Sequence, residues 1–565
     1  MCYYKPMELR DQARAELASS ILSASGWRHV FASHEEDHAG ELSKSNCALC
    51  YAIARAYAGC IAADTVVIGT DSRPTGHAIK SICTKVLSSR GIRVLDSGVS
   101  ASPQIMAYSQ VKGIPFFYIS ASHNPVGHNG FKFGDHGAVY ERETWDQLKT
   151  ALYKEVDELD SDTLQGVLNS ADPVVEKAIG IEDIYLGFVL DTAAKGRDKS
   201  VFCEKLKGAG ISLVVDYNGS ARALCREERL LERVGCKVWA INNDSIVHAI
   251  VPEGENLEPC ARELEKAYAQ DPSYCLGYTP DNDGDRGNLV YIDPEGKAQI
   301  LQAQEVFALA LLSELCSAKG KLGAVYNGPT SLRSDRICEA FGAEVFRSEV
   351  GESNANGLAD LKRREGYSIP LCGEGSNGGS IVYPACVRDP LNTIFAVLDL
   401  LTSPEALAKW TGDPKAGLGK VIAALPGFTT TPSFSSQAKL KIRHPDYPRL
   451  KTAYERLLEL RIGKLMDILG KWGLTSFQEI QYEGPVSRQG KLEDGPKMRT
   501  GLATGGLKIQ FYDKAGKAQA FIWMRPSGTE PVFRIEADAF DKSLHDYLLQ
   551  VQRSLIEEAD SALEI

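Results

Sequence analysis

The sequence lacks several features, and each absence argues against a class of protein. Its 565 residues contain no run of eighteen or more apolar residues, which argues against a membrane-spanning helix and a membrane partner. No apolar leader follows the N-terminus, so we expect a cytoplasmic protein without a signal peptide. Positive charge is also scarce, because 63 Lys and Arg stand against 74 Asp and Glu, for a net charge of −11. Nucleic acid, which needs a basic face, is therefore not an expected partner.

Two further patterns are missing. The 14 cysteines are scattered through the chain, and the one Cys-x-x-Cys, at Cys47 and Cys50, has no second pair at zinc-ligand spacing. Reduced and mostly buried thiols are therefore expected. No Gly-x-Ser-x-Gly string occurs, so the sequence offers no nucleophile elbow of the α/β-hydrolase type.

One structural unit recurs three times: an apolar strand, a polar loop, a helix that ends at glycine, and a second strand. The glycines are Gly91, Gly235 and Gly342, at positions where a left-handed residue ends a helix at low cost. This alternation predicts an α/β fold with parallel or mixed sheets. The last part of the chain differs, so we expect three similar βαβ-type mixed-sheet domains and a smaller, different α+β C-terminal domain. The expected boundaries are 1–196, 197–317, 318–425 and 426–565.

A serine loop is predicted after the apolar strand Phe116–Ile119. The residues that follow, SASHNP (120–125), contain a proline that restricts the preceding asparagine to extended or turn conformations. Ser122 should therefore lie at the carboxyl end of a strand, where α/β sheets bind ligands. An Asn-Gly turn then returns the chain, so that Lys132 can face Ser122. Taken alone, the string is better explained as an incidental surface turn.

Three carboxylates alternate along the segment DNDGDR (281–286), between two apolar strands. Asp281, Asp283 and Asp285 should project to one side, where their mutual repulsion favours a bound cation. Hard oxygen ligands of this kind suit Mg²⁺. An EF-hand calcium loop does not fit, because Arg286 occupies a position that requires glycine. A charged β-turn is the alternative left open.

Two more loops place polar side chains beside glycine. GEGSNGG (373–379) contains the G-x-G-x-x-G string of dinucleotide-binding folds, but the β-branched and proline-containing residues after it should not form the required helix. RPSGTEP (525–531) and Arg534 combine two arginines, two hydroxyls and a glycine, a composition suited to phosphate. The alternative for residues 373–379 is a plain glycine-rich turn, and the alternative for residues 525–531 is a loop of structural ion pairs.

Together, and in this order, the four motifs resemble those of the α-D-phosphohexomutase family over nearly the whole chain. The resemblance implies a phosphoserine loop, a metal loop, a sugar-binding loop and a phosphate-binding loop, one in each expected domain. The implied activity is reversible phosphoryl transfer that converts hexose 1-phosphate to hexose 6-phosphate by way of a phosphoserine. Mg²⁺ and hexose 1,6-bisphosphate are the implied cofactors, and hexose phosphates, above all those of glucose and mannose, are the implied partners.

The resemblance also implies roles for individual residues. Those implied to be catalytic are Ser122, Lys132, Arg28 and His123, with Ser122 as the phosphorylated nucleophile. Those implied to bind the metal are Ser122, Asp281, Asp283 and Asp285. Those implied to bind substrate are Glu374, Ser376, Arg525, Ser527, Gly528, Thr529, Arg534 and Arg286. Lys132 is the candidate general acid or base, provided that neighbouring cations lower its pKa from an ordinary value of about 10.

Two departures from the family pattern concern the substrate. Gly379 and Glu352 stand where many bacterial members have histidine, and the Asn-Gly-Gly ending of the sugar loop is more similar to archaeal-type members. A phosphoglucosamine mutase is therefore the main alternative. A non-catalytic sugar-phosphate binder would need neither Ser122 nor the aspartates, and an NAD-dependent dehydrogenase would need a helix after the glycine-rich loop.

Overall fold

The computed structural model describes residues 8–23, 26–244, 248–444, 446–490, 505–527 and 532–563. The chain divides into two compact units. The first comprises Met1–Val290 and Pro384–Leu391, and the second comprises Tyr291–Tyr383 and Asn392–Ile565. All 13 cysteines within the described residues are free thiols.

The first unit opens with a mixed sheet flanked by helices. The helices are α1 Leu9–Ser19, α2 Lys44–Cys60, α3 Gly76–Ser89, α4 Ser102–Lys112, α5 Arg142–Asp157, α6 Ser161–Asn169 and α7 Ile181–Ala194. The strands are β1 Ile21–Ser23, β2 Gly26–Val30, β3 Thr65–Thr70, β4 Arg93–Val99, β5 Phe116–Ile119, β6 His128–Asp135, β7 Ala138–Val139 and β8 Glu176–Lys177. They lie in the order β1-β2-β6-β5-β3-β4-β8, with β7 beside β6. Strand β3 is parallel to β4 and β5, whereas β6 is antiparallel to β5.

A second sheet completes the first unit. Its helices are α8 Lys199–Lys207, α9 Glu228–Arg233 and α10 Glu258–Gln270, and its strands are β9 Ser212–Asp216, β10 Val238–Ile241, β11 Tyr274–Pro280 and β12 Gly287–Ile292. The strands lie in the order β10-β9-β11-β12. The helix expected between β9 and β10 is reduced to a 3₁₀ turn, Ala221–Leu224, and the six-residue α9. Arg226 separates the two with a φ of 54°, which no α-helix can contain.

The second unit begins with a sheet of the same kind. Its helices are α11 Ala303–Ser317, α12 Leu332–Phe341, α13 Glu352–Arg364, α14 Pro390–Leu401, α15 Pro404–Thr411 and α16 Leu418–Ala423. The strands of this sheet are β14 Gly323–Asn327, β15 Glu344–Ser348, β16 Leu371–Glu374 and β17 Gly379–Val382, whereas strand β13 Ala298–Ile300 is not part of it. Strands β15, β14 and β16 are parallel, and β17 is antiparallel to β16.

The last sheet is antiparallel throughout its described pairs. Its strands are β18 Thr429–Thr430, β19 Lys439–Lys441, β20 Leu474–Glu483, β21 Val486–Gly490, β22 Leu507–Asp513, β23 Ala518–Pro526 and β24 Val532–Ala539. Their order is β18-β24-β23-β22-β20-β21, with β19 beside β24. Helices α17 Tyr447–Leu469 and α18 Lys542–Ala562 contribute apolar residues to one core with these strands.

One strand order occurs three times, as β4-β3-β5-β6, β10-β9-β11-β12 and β15-β14-β16-β17. The glycines that follow the repeated helices have positive φ in each case: 78° at Gly91, 86° at Gly235 and 65° at Gly342. The predicted fold class, with three similar α/β parts and a different last part, is confirmed. The domain boundaries stay a prediction.

Membrane-spanning potential is low in the part of the chain that the structure describes. No single described helix there is long and apolar enough to cross a bilayer. Helices α14 and α15 meet the length and composition criteria only as a pair bent by 89°. The apolar residues of α14, such as Ile394 and Phe395, are fully buried in the protein.

Candidate active site

Ser122 lies on the loop after β5, as predicted, and its backbone is strained. Its φ of 50° falls in the left-handed region that residues with a Cβ rarely adopt. The buried Ser122 Oγ lies 3.3 Å from Oδ2 of Asp281 and 3.4 Å from Nδ1 of His123. The strained turn therefore directs one hydroxyl at the aspartate segment.

A buried arginine holds this serine loop in place. Arg73 Nη2 donates to the carbonyl oxygens of Ser122 and Asn124, both at 2.6 Å, and Nη1 donates to that of His128 at 3.0 Å. Arg73 Nε in turn pairs with Asp71 Oδ2 at 3.2 Å. Sequence reasoning missed Arg73, although a signal existed, because Asp-Ser-Arg directly follows the carboxyl end of β3.

Three of the four predicted metal ligands, the aspartates, lie close together. Carboxylate oxygens of Asp281, Asp283 and Asp285 lie within 4.8 Å of one another, and all three residues are buried. Oδ1 of Asp283 and Oδ1 of Asp285 are buried without a hydrogen-bond partner. Because an unsatisfied buried acceptor is costly and hard oxygen donors suit Mg²⁺, these residues fit a bound divalent cation.

Lys132 and Arg286 face the same carboxylates. Lys132 Nζ donates to Oδ2 of Asp283 at 2.6 Å and to Oδ2 of Asp285 at 3.0 Å. Arg286 Nη2 donates to Oδ2 of Asp281 at 2.8 Å. Contact with two carboxylates stabilises the charged ammonium of Lys132, which suits a group that neutralises phosphoryl oxygens. Its role in proton transfer stays a prediction.

A further cation of this cluster, Arg388, was not predicted. Its Nη2 donates to Oδ2 of Asp285 at 2.6 Å, from the segment just before α14. Arg28, on β2, is also buried, and burial lowers its pKa to about 10, with Arg286 and Arg388 acting in the same direction. Burial, followed by these arginines, holds the pKa of His123 well below its usual value, so this imidazole is neutral.

The pKa values of Asp281 and Asp285 shift in opposite directions. Burial raises the pKa of Asp281 to about 7, although Arg286 opposes the shift. Burial acts on Asp285 too, but Arg388, Lys132 and Arg286 together hold its pKa below the ordinary value. A divalent cation at these oxygens would favour the ionised forms. With its cations outnumbering its carboxylates, the cluster suits a doubly charged phosphoryl group.

The predicted sugar loop lies in the second unit. Glu374 ends β16, where its Oε1 accepts from the backbone N–H of Gly351 at 2.8 Å and its Oε2 accepts from Asn377 Nδ2 at 3.0 Å. Ser376 Oγ accepts from Asn327 Nδ2 at 2.9 Å. Strand β17 follows this loop instead of a helix. The dinucleotide-binding alternative is therefore wrong, because no helix N-terminus is available for a pyrophosphate.

The predicted phosphate loop joins β23 and β24, also in the second unit. Arg525 and Arg534 are direct cross-strand partners, and Lys439 of β19 is the next partner of Arg534. Like charges placed directly opposite each other are destabilising unless an anion lies between them. Ser527, which directly follows β23, is buried. Gly528 and Thr529 lie outside the described residues.

Buried Glu349 is a further residue that sequence reasoning missed. Its Oε1 lies 3.8 Å from Nη1 of Arg525, and its Oε2 accepts from the backbone N–H of Gly506 at 2.5 Å. Burial raises the pKa of this carboxyl, against the opposing influence of Arg525. Glu349 therefore orients the arginine of the phosphate loop.

Comparison with known proteins decides the family. The phosphoglucomutase/phosphomannomutase alpha/beta/alpha domain I matches residues 23–158. The phosphoglucomutase/phosphomannomutase of Thermococcus kodakarensis is 27% identical over 514 residues, covering 87% of this chain and 90% of that protein. The phosphoglucosamine/phosphogalactosamine mutase of Sulfurisphaera tokodaii is 24% identical over 501 residues, covering 87% and 91%. The chain belongs to the α-D-phosphohexomutase superfamily.

Solved structures agree with the fold of this phosphohexomutase. A phosphoglucomutase/phosphomannomutase family protein from Burkholderia thailandensis has a TM-score of 0.63 at 19% identity, covering 97% of this chain and 98% of its own. The open form of a phosphoglucomutase from Paramecium, parafusin, has a TM-score of 0.59 at 15% identity, covering 95% and 97%. The expectation of a phosphohexomutase is confirmed, whereas the roles of single residues stay predictions.

The phosphohexomutase structure distributes the predicted residues between its two units. Those that it brings together in the first unit are Arg28, Ser122, His123, Lys132, Asp281, Asp283, Asp285 and Arg286. Those that it places in the second unit are Glu374, Ser376, Arg525, Ser527 and Arg534.

Proposed function

We propose that this enzyme interconverts hexose 1-phosphates and hexose 6-phosphates through phosphorylated Ser122 and a hexose 1,6-bisphosphate. The observation that carries the proposal is a single strained, buried serine beside three carboxylates that are in contact with cations. A serine hydrolase could use the neutral imidazole of His123 as its base, but it would bind a carbonyl oxyanion with hydrogen-bond donors and would not need clustered cations. Clustered positive charge instead suits phosphoryl oxygens.

The reaction comprises two transfers. In the first, O6 of hexose 1-phosphate attacks the phosphorus of phosphoserine, the bond from phosphorus to Ser122 Oγ breaks, and the hydroxyl proton passes to a base. The resulting 1,6-bisphosphate then turns over. In the second transfer, Ser122 Oγ attacks the phosphorus on O1, which regenerates phosphoserine and releases hexose 6-phosphate with a proton restored to O1. Either phosphate of the intermediate can therefore return to the same serine.

The residues of the first unit would mainly position and neutralise the transferring group, because such transition states are loose. Lys132, Arg286, Arg388 and Arg28 would contact its oxygens. Because two carboxylates stabilise its charged form, Lys132 is our candidate general acid, which would donate a proton to the leaving sugar oxygen. Mg²⁺, held by the three aspartates and a phosphoserine oxygen, would supply Lewis-acid stabilisation of the same charge.

Residues of the second unit would recognise the rest of the substrate. Glu374 and Ser376 would bind sugar hydroxyls, while Arg525, Ser527 and Arg534 would bind the phosphate that is not being transferred, with Gly528 and Thr529. The cross-strand pairing of Arg525 and Arg534 supports this assignment, because an anion between them would relieve their repulsion.

Glucose and mannose phosphates are the proposed substrates, because no residue of the sugar loop is assigned to the C2 position, where these sugars differ. Discrimination without a dedicated contact is weak, about 1–3 kcal/mol. Glucosamine phosphate is the second candidate. The buried carboxylates Glu349 and Glu352 favour it, since either could pair with an ammonium at C2.

The test combines mass spectrometry with a substrate panel. Wild-type enzyme incubated with glucose 1,6-bisphosphate should gain one phosphate, and Ser122→Ala should gain none and lose turnover. Ser109→Ala is the control and should still be phosphorylated, because the buried Ser109 hydroxyl donates to the carbonyl oxygen of Ile114 and not to the serine loop. Glucose, mannose and glucosamine 1-phosphates are then compared by kcat/KM. Full activity of Ser122→Ala refutes the mechanism, and a preference for glucosamine above about a hundredfold refutes the neutral hexoses.

A further inference from the structure

A fully buried arginine lies behind the metal loop. Arg222 follows β9 in the 3₁₀ turn and has no solvent exposure. Its Nε and Nη2 pair with Oε2 of Glu227 at 2.8 and 2.6 Å. Because a buried ion pair is expensive to desolvate, Arg222 is not explained by stability alone.

The same guanidinium reaches the metal loop. Arg222 Nη1 donates to the carbonyl oxygen of Gly284 at 2.8 Å. Gly284 has a φ of 70°, and a Cβ at this position would collide with Cγ of Arg222. The methylene groups of Arg222 thus occupy the space beside Gly284, and its guanidinium donates to the carbonyl oxygen of this glycine. Both contacts act on the residue immediately before Asp285.

Arg222 also reaches the segment that carries Arg388. Its Nη1 lies 3.3 Å from Oδ1 of Asp389. Its Nη2 donates to the hydroxyl of Tyr185 at 2.8 Å, and that hydroxyl donates to Oδ2 of Asp389 at 2.9 Å. Arg222, Tyr185 and Asp389 therefore form a closed ring of polar contacts, in which Asp389 is held at both carboxylate oxygens.

These contacts flank one ion pair of the active site. Arg388 donates to Asp285 at 2.6 Å, and Arg222 holds the residue before Asp285 and the residue after Arg388. We propose that Arg222 is a positioning residue, which with Tyr185 sets the register between the metal loop and Arg388. The inference rests on the proposed function, since it assigns the metal and phosphoryl roles to Asp285 and Arg388.

The test uses two conservative variants in the full chain. Tyr185→Phe removes one hydroxyl from the ring, and Arg222→Lys keeps the charge but loses the planar fork that holds several partners at once. Tyr57→Phe is the matched control, because Tyr57 is equally buried but donates to the carbonyl of Phe116, away from the aspartates. Thermal unfolding of each variant monitors stability separately.

The first readout is Mn²⁺ binding, measured from free Mn²⁺ by electron paramagnetic resonance. Changes behind metal ligands typically weaken metal binding about 10- to 100-fold, so Tyr185→Phe and Arg222→Lys should raise the dissociation constant by about tenfold or more. Their kcat should fall by a similar factor while KM for the sugar phosphate changes by less than about threefold, because the substrate contacts of the second unit are untouched. Tyr57→Phe should match the wild type.

The outcomes are separable. If both variants lose thermal stability but keep Mn²⁺ affinity and kcat within about twofold of wild type, Arg222 is merely structural and the inference is wrong. If Arg222→Lys fails to fold, Tyr185→Phe alone decides. If the wild type binds Mn²⁺ but turns over no hexose phosphate, the proposed function fails, and the Mn²⁺ measurements still judge the positioning role. A wild type that binds no Mn²⁺ overturns both.

Discussion

Arg388 offers the sharpest test of how the active site uses positive charge. Arg388→Met removes the guanidinium and retains a side chain of comparable length. The lost contact is a charge-assisted hydrogen bond of 2.6 Å to a buried carboxylate, in a place where a phosphoryl group would need neutralisation. Such bonds contribute about 1.5–3 kcal/mol, so kcat/KM should fall by about 10- to 150-fold.

The loss should exceed any effect on folding, because Asp285 keeps its contact with Lys132 at 3.0 Å. Arg388→Lys restores the charge without the fork and should recover part of the rate. We would measure kcat/KM for glucose 1-phosphate with the bisphosphate present, together with the thermal unfolding of each variant. A kcat/KM within about twofold of wild type for Arg388→Met would refute the assignment of this arginine to the transferring phosphate.

Three further predictions concern the metal, the distal phosphate and the effect of pH. Chelation by EDTA should abolish turnover, and Mg²⁺ should restore it better than Ca²⁺, since a compact octahedral site suits the smaller ion; full activity in excess EDTA would contradict the metal site. Arg525→Ala should lower kcat/KM by about tenfold or more, while a change below about twofold would argue against the phosphate loop. Burial lowers the pKa of Lys451 from 10.5 to about 8, so the folded chain binds fewer protons than the unfolded chain between these values. Urea unfolding should therefore show wild type gaining stability relative to Lys451→Met as pH rises through that window, and parallel curves would contradict it.

The sequence was most informative where chemistry and local geometry coincide. Ser122 could be predicted because it directly follows a strand and precedes Asn-Pro, and the aspartates because they alternate within six residues. The three repeated strand-helix units were predictable from periodicity and from glycines placed to end helices. Each of these signals lies within a short window of the chain.

Long-range partners could not be predicted in this way. Arg388 contacts Asp285 across 103 positions of sequence, and nothing in its own neighbourhood indicates an aspartate partner. Arg222 was further obscured, because its segment was expected to be a regular helix. The φ of 54° at Arg226 excludes a regular helix through this segment, so Arg222 lies in a 3₁₀ turn, where its side chain is buried.

Arg73 and Arg222 have the same structural role in the serine loop and the metal loop, since each donates hydrogen bonds to backbone carbonyl oxygens. A loop that presents reactive groups cannot satisfy its carbonyls within a helix or sheet, yet buried carbonyls need donors. Arg73 supplies donors to the serine loop and Arg222 to the metal loop. A guanidinium has five N–H donors and can donate to the backbone carbonyl of any residue type. The side chains of the residues that it holds therefore do not indicate the contact. The motifs therefore identify the reacting atoms, while the groups that fix those atoms in space become visible only in the folded chain.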